Sequence, residues 1–129
     1  MKVLSIKEPW ATLIKEKKKY IETRSWKTNY RGEIYIHASL KKINKKDPHI
    51  KELLELIPNI DMSYGYIICK CKLVDCIYMD DLFIKKIKNN HQEYLCGEYS
   101  IGRYAWILKD IEVVDKIQAK GKLGIWNFD

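Results

Sequence analysis

The chain carries a series of short segments in which apolar and polar residues alternate, and few helical segments separate them. Such alternation has the period of a half-buried β-strand. We predict strands at residues 3–6, 20–26, 33–38, 66–79, 103–111 and 125–128. Because most of these strands do not alternate with helices, the pattern argues against a doubly wound parallel sheet. The sequence predicts the α+β class, with a small mixed β-barrel of about six strands.

Two or three helices are predicted to flank this barrel. The first covers about residues 9–18, with Pro9 in a first turn where its missing N–H costs nothing. The second begins after the pair Asp47-Pro48, which provides a good N-cap and first helical residue. A short third helix begins at Asp80-Asp81, and residues 88–100 are predicted to form a loop.

The charge balance is basic, and the length fits one domain spanning residues 1–129. The chain has 24 Lys and Arg against 17 Asp and Glu, a formal charge of +7. Such an excess raises the local concentration of polyanions and speeds their arrival. The alternative is a lysine-rich surface that only maintains solubility.

The cysteines and the N-terminus constrain the site chemistry and the compartment. Cys69 and Cys71 alternate within a predicted strand, which is typical of small core residues. Because no Cys-x-x-Cys pair exists and the histidines are scattered, we predict no metal site and no cofactor. Residues 1–10 do not resemble a signal peptide, and no apolar run approaches a membrane span. We therefore expect a cytoplasmic protein with reduced thiols and no membrane partner.

The segment 19–26 carries the most informative candidate site. Within the predicted strand 20–26, the even-numbered residues share one face, whereas Ile21, Thr23 and Ser25 are apolar or small and are predicted to face the core. Glu22 and Arg24 then lie side by side as a charge pair, in which one partner can still bind a phosphate or a base edge. Lys19 adds positive charge nearby. An ordinary solvated edge strand is the alternative.

Tryptophan is abundant for this length, and aromatic faces can stack on unpaired bases. We assign Trp10 and Trp26 to the candidate site, and Trp106 and Trp126 to the core. His37 lies on the face opposite the core-facing residues of strand 33–38, where it could act as a base or a hydrogen-bond donor. The alternative for this histidine is a structural role.

Two N-terminal motifs, Ser5-Ile6-x-x-Pro9-Trp10-Ala11 and Lys19-x-x-Glu22-x-Arg24-Ser25-Trp26, resemble the ASCH domain family. Weaker matches follow along nearly the whole chain: Tyr30-Arg31-Gly32-x-Ile34-x-Ile36-His37-Ala38, Gly65-Tyr66-Ile67-Ile68, Gly102-x-Tyr104-Ala105-Trp106 and Gly121-x-x-Gly124-Ile125-Trp126. The resemblance implies a PUA-like β-barrel related to RNA-binding PUA domains.

The resemblance also implies a cleft beside the barrel, lined by Lys19, Glu22 and Arg24. Family members are thought to bind RNA or DNA, so the expected partner is RNA, another single-stranded nucleic acid or a nucleoside-sized ligand. The candidate ligand-binding residues are Ser5, Trp10, Lys19, Glu22, Arg24, Trp26, His37 and Tyr104.

Hydrolysis is the alternative function. One branch of the family is similar to an acetylcytidine amidohydrolase that uses a Lys, a Thr and a Glu, and another branch shows ribonuclease activity. The Lys matches Lys19, but the Thr falls on Glu22 and the Glu falls near Lys70. Lys19 and Glu22 would be the catalytic pair, with Glu22 as a general base. A protein-interaction domain with a nonfunctional cleft is a third possibility.

Overall fold

The centre of the molecule is one curled six-stranded sheet. The structure is a computed structural model that describes residues 1–129. The strands are β1 (Lys2–Ile6), β2 (Ile21–Arg24), β3 (Gly32–Ala38), β4 (Tyr66–Tyr78), β5 (Tyr104–Gln118) and β6 (Ile125–Asn127). They are hydrogen-bonded in the order β2-β5-β4-β3-β1-β6. Strands β1 and β3 are parallel and the other neighbours antiparallel, so the predicted mixed architecture is confirmed as a half-barrel.

Four helices surround the sheet, one more than the upper estimate from the sequence. They are α1 (Trp10–Lys15), α2 (Pro48–Glu55), α3 (Asp81–Ile87) and α4 (His91–Leu95). Helix α4 lies in the region predicted to be a loop, and the Asn90 side chain caps it by accepting from the Glu93 N–H. Helix α1 ends before residue 18 because Lys17 adopts a positive φ of 60°. No helix has both the length and the apolar composition needed to cross a bilayer.

The main core lies between the sheet and α1. The predicted core tryptophans are buried, since Trp106 is 0% and Trp126 is 6% exposed. Cys69 and Cys71 are buried as predicted, and burial raises the pKa of the Cys71 thiol to about 12. A second core cluster joins α2 to the rest of the molecule through Leu13 and its neighbours.

The two longest strands are irregular. The register of β4 against β5 shifts between Leu73 and Asp75, which confirms the predicted bulge. Strand β5 extends to Gln118, whereas the sequence predicts its end at Ile111. Asp110 has a φ of 54°, so the alternation of inward and outward side chains is interrupted there. The sequence pattern therefore does not indicate the second half of the strand.

The two edges of the sheet leave a gap that we call the seam. Its sides are β2 and the paired strands β1 and β6. Strand β6 pairs only with Lys2–Leu4, so β1 extends beyond it. The Arg24 guanidinium crosses the seam, where its Nη2 donates to the Ser5 carbonyl at 2.8 Å. A side-chain hydrogen bond thus joins β1 and β2, which are not neighbours in the sheet.

Candidate nucleic-acid interface

A cavity of about 660 Å³ lies at the seam. Its walls come from both sheet edges, from the start of α1, from the segment after α4 and from the turn before β6. The lining residues are Ser5, Ile6, Lys7, Trp10, Lys19, Glu22, Thr23, Arg24, Ser39, His49, Cys96, Gly97, Glu98, Arg103, Lys122, Leu123 and Gly124. The structure therefore brings five of the predicted site residues to one cavity: Ser5, Trp10, Lys19, Glu22 and Arg24.

Lys19 forms part of the cavity floor and is fully buried. Its ammonium group donates to the carbonyl of Ile21 and, at 2.8 Å, to the carbonyl of Cys96. Its third partner is the Glu22 Oε1 at 3.7 Å. Two of the ammonium donors are thus hydrogen-bonded to carbonyls, and the Glu22 contact is an ion pair. Because the side chain is fully buried and all of these partners belong to the protein, Lys19 supports the floor and is not the exposed phosphate-binding cation expected from the sequence.

Glu22 and Arg24 form the pair that strand geometry predicts. The Arg24 Nε donates to the Glu22 Oε2 at 3.0 Å, while the other Glu22 oxygen faces Lys19. With the bond to Ser5, Arg24 uses two of its five N–H groups and keeps three for a ligand. Its side chain remains 23% exposed. Arg24 is therefore a fixed cation with free donors at the cavity.

The burial of the two faces of β2 differs from the prediction. Glu22, on the face predicted to point away from the core, is only 7% exposed. Ser25, predicted to face the core, is exposed. The reason is that β2 is an edge strand, and its Glu22–Arg24 face closes the seam over Trp106, whose ring centre lies 6.0 Å from the Arg24 Cζ.

The rim of the cavity carries cations that sequence reasoning missed. Arg103 is held by the carbonyls of Glu98 and Thr23, at 3.1 and 3.3 Å. Lys7 and Lys122 belong to none of the ion pairs in the structure. The cavity lining thus has five Lys or Arg side chains against two carboxylates, a net excess of three positive charges. The basic turn around Gly121 was the available sequence signal for Lys122.

His37 lies outside the cavity lining and is 1% exposed. Its Nε2 is 2.8 Å from the Ala119 carbonyl, and because a carbonyl only accepts, this nitrogen carries the proton. In the neutral ring, Nδ1 therefore accepts from the Ser5 hydroxyl at 2.9 Å. The structure gives His37 a structural role, holding the segment before β6 against β1, which corrects the expectation of a base in the cleft.

Trp26 and Tyr104 also lie outside the cavity lining, so the predicted aromatic wall is reduced to Trp10. The Trp26 ring packs edge-on against Trp106, with ring centres 4.7 Å apart. Tyr104 packs against the main core and, at 5.6 Å between ring centres, against Tyr78. These aromatic side chains therefore pack on other aromatic rings and not on the cavity.

The α4 region contributes two buried side chains near the floor, of which Cys96 lines the cavity and Glu93 does not. Cys96 is fully buried, and burial raises the pKa of its thiol to about 11, so it is a neutral thiol at pH 7. Glu93 is 5% exposed and accepts from the N–H of Tyr20, while its Oε2 has no partner. Burial raises the pKa of this carboxyl above its ordinary value. No three His, Cys, Asp or Glu side chains converge as metal ligands would.

Comparison with known proteins identifies the fold. The ASCH domain model matches residues 4–118. Activating signal cointegrator 1 from Homo sapiens is 28% identical over 134 residues, covering 98% of this chain and 22% of that protein. The Mus musculus protein gives the same identity and coverage. The chain thus spans about a fifth of the length of these relatives.

A solved structure agrees with this assignment. The crystal structure of a mutant ASCH protein from Zymomonas mobilis superposes with a TM-score of 0.54 at 16% identity, covering 91% of this chain and 74% of that one. This likeness supports the fold alone, and it confirms the PUA-like α+β architecture expected from the sequence. The match of the family model over most of the chain shows that this protein belongs to the ASCH domain family.

Proposed function

We propose that this domain binds single-stranded nucleic acid, RNA in particular, and takes one nucleotide into the seam cavity. The observation that carries the proposal is the excess of three positive charges around a cavity of about 660 Å³. Pockets for small ligands typically enclose about 300–1,000 Å³, so the volume suits a nucleotide. A cationic lining suits the phosphate of that nucleotide.

Arg24 is the main ligand-binding residue in this proposal. Glu22 and the Ser5 carbonyl fix the guanidinium from two sides, so few degrees of freedom remain to be lost on binding. Its free N–H groups can donate to two phosphate oxygens or to a base edge. Trp10 supplies a stacking face in the cavity wall.

The lysine-rich loop of residues 41–46 supplies attraction that does not depend on sequence. This loop lies between Ser39 and His49, which both line the cavity. Its four lysines are Lys41, Lys42, Lys45 and Lys46. A nucleic-acid strand that extends from the cavity past Ser39 or His49 would meet this charge, and binding would release counterions.

The geometry supports binding better than hydrolysis. A general base needs a free carboxylate oxygen or amine, but both Glu22 oxygens face cations, and the Lys19 ammonium donates to two carbonyls and pairs with Glu22. The Cys96 thiol is neutral, so it is a poor nucleophile. We therefore propose a binding module, with the hydrolase as the competing outcome of the test.

The test is a titration of labelled single-stranded RNA with the full chain at several salt concentrations. We expect affinity to fall steeply with salt, and Arg24→Gln to weaken binding about tenfold or more. Lys109→Gln is the matched control, because it removes one positive charge from an exposed residue outside the cavity. Thermal melting checks that each variant is folded.

Other results would overturn the proposal. Equal affinities for Arg24→Gln and Lys109→Gln would exclude the cavity as the site. Salt-independent binding, or retention of protein partners without nucleic acid, would favour an interaction domain. Turnover of acylated nucleosides or of RNA, abolished by Glu22→Ala, would establish the hydrolase instead.

A further inference from the structure

Three aromatic side chains beside the cavity have no role in the nucleotide pocket described above. We call Trp26, Tyr104 and Tyr78 the aromatic row. In the sheet register, Tyr104 lies directly opposite Arg24 of β2 on one side and Tyr78 of β4 on the other. Direct cross-strand partners share a face of the sheet, so Arg24 and the two tyrosines line up across three strands.

Trp26 joins this row because the chain folds back after β2. The Trp106 indole N–H donates to the Trp26 carbonyl at 3.3 Å, and the two indole rings are nearly perpendicular, at 87°. Trp106 is two residues from Tyr104 on β5, so both lie on the same face. The buried Trp106 ring therefore holds Trp26, and Trp106 lies on the same face of β5 as Tyr104.

Two members of the row are exposed although packing holds them in place, and Tyr104 is half-buried. Trp26 is 38% and Tyr78 is 50% exposed. Neighbouring exposed aromatic rings that packing has already fixed lose little freedom when a planar group stacks on them. Every nucleobase presents such a planar face, so stacking of this kind tolerates any base.

Arg24 lies at the boundary between the cavity and the row. Its guanidinium lines the cavity, and its Cζ is also 6.0 Å from the Trp106 ring on which Trp26 packs. The exposed Lys27 follows Trp26 and adds a second positive charge beside the row. This charge suits a polyanion whose phosphate passes Arg24.

We infer that the aromatic row is a second base-binding subsite. The ligand is then a single strand of at least two nucleotides, with one base in the cavity, the next base stacked on the row and the intervening phosphate at Arg24. This inference rests on the proposed function, and it adds a minimum ligand length of two nucleotides and a place for the second base.

The test compares adenosine monophosphate with an adenine ribo-oligonucleotide of four bases as ligands of the full chain. We expect Tyr78→Leu and Trp26→Leu each to weaken oligonucleotide binding about tenfold, because stacking on the row is lost. Binding of the mononucleotide, which occupies the cavity alone, should not change. Tyr94→Leu is the control, since Tyr94 is 38% exposed but lies outside the cavity and the row.

The outcomes separate the two proposals. If neither ligand binds, the proposed function fails and the row fails with it. If both ligands bind with equal affinity, or if the Tyr78 and Trp26 variants behave like Tyr94→Leu, the cavity stands and the second subsite is excluded. Melting curves show which variants remain folded, and Tyr78→Phe, which keeps the ring, should bind like the wild type.

Discussion

Two depressions in the surface are rich in charge, but they are built in opposite ways. One is the seam cavity. The other, about 390 Å³, lies over the irregular pairing of β4 and β5, and we call it the bulge depression. In it Lys70 lies 3.6 Å from both Glu33 and Glu112. Lys72 lies 3.5 Å from Asp110, so each lysine is paired.

The two depressions differ in the burial of their charged side chains and in the balance of positive and negative charge. The bulge depression has two lysines and three carboxylates, and its Glu112 is 66% exposed, so water screens the pairs. In the seam cavity the floor pair is buried, whereas two of the rim cations, Lys7 and Lys122, have no carboxylate partner. A binding surface is therefore indicated by charge that the protein leaves unneutralised next to groups that it has fixed in place, and not by the number of charges.

Removing the floor cation should have the largest effect. Lys19→Met leaves two carbonyls and the Glu22 carboxylate buried without their partner, so we expect a loss of about 3–5 kcal/mol in the free energy of unfolding. Urea denaturation measures it. Lys18→Met, at an exposed neighbour, is the control. Similar losses for the two variants would mean that the buried floor cation contributes no more to stability than an exposed surface lysine.

The buried Glu93 near the cavity floor should make the stability of the protein depend on pH, which the exposed carboxylates of the bulge depression should not do. Burial raises the pKa of Glu93 in the folded state, so the folded protein binds more protons than the unfolded chain above about pH 4.5, the ordinary value for this group. Wild-type stability should therefore fall relative to Glu93→Gln as pH rises from there through the raised pKa. Unfolding curves over this pH range give the difference, and parallel curves would contradict the expectation.

A rim cation should affect binding and leave stability unchanged. We expect Lys122→Gln to reduce the slope of log affinity against log salt by about 0.7, the contribution of one contact with a single-stranded phosphate. Titration of single-stranded RNA at four salt concentrations measures the slope. If the exposed Lys109→Gln lowers it equally, the rim is not distinguished from the rest of the surface.

The smallest effect is expected in the bulge depression. Lys70→Ala removes the lysine shared by two carboxylates, and both of these are more than half exposed. Its melting temperature and its RNA affinity should both stay close to the wild-type values, because solvent screens the lost pairs. A clear loss of RNA affinity would show that this depression also takes part in binding.

The half of the site formed by one local segment could be predicted from the sequence. Strand geometry alone places Glu22 beside Arg24, and the six residues from Lys19 to Arg24 bring three charges together. Ser5 and Trp10 in the opposite wall were expected from the family resemblance, and the rest of that wall could not be predicted because its residues are distant in sequence. The burial of Lys19 depends on the Cys96 carbonyl, 77 residues away, and no periodic pattern encodes that contact.

Two elements of the fold were missed for local reasons. Helix α4 has five residues, too few to show a helical period. The only sequence signal for it is Asn90 as a possible N-cap. The second half of β5 follows Asp110, whose positive φ shifts the alternation of inward and outward residues. The core strands were predicted because they alternate regularly, as Ile34 and Ile36 show.

The seam between β2 and the β1–β6 edge has a consequence for the diversity of such domains. No backbone ladder joins the two sides, and the bond from Arg24 to the Ser5 carbonyl is the direct side-chain link between β2 and β1. The breadth of the opening is therefore set by a few side chains. Evolution, or a protein engineer, could retune the size and polarity of the guest molecule by exchanging these residues while every hydrogen bond of the scaffold stays intact.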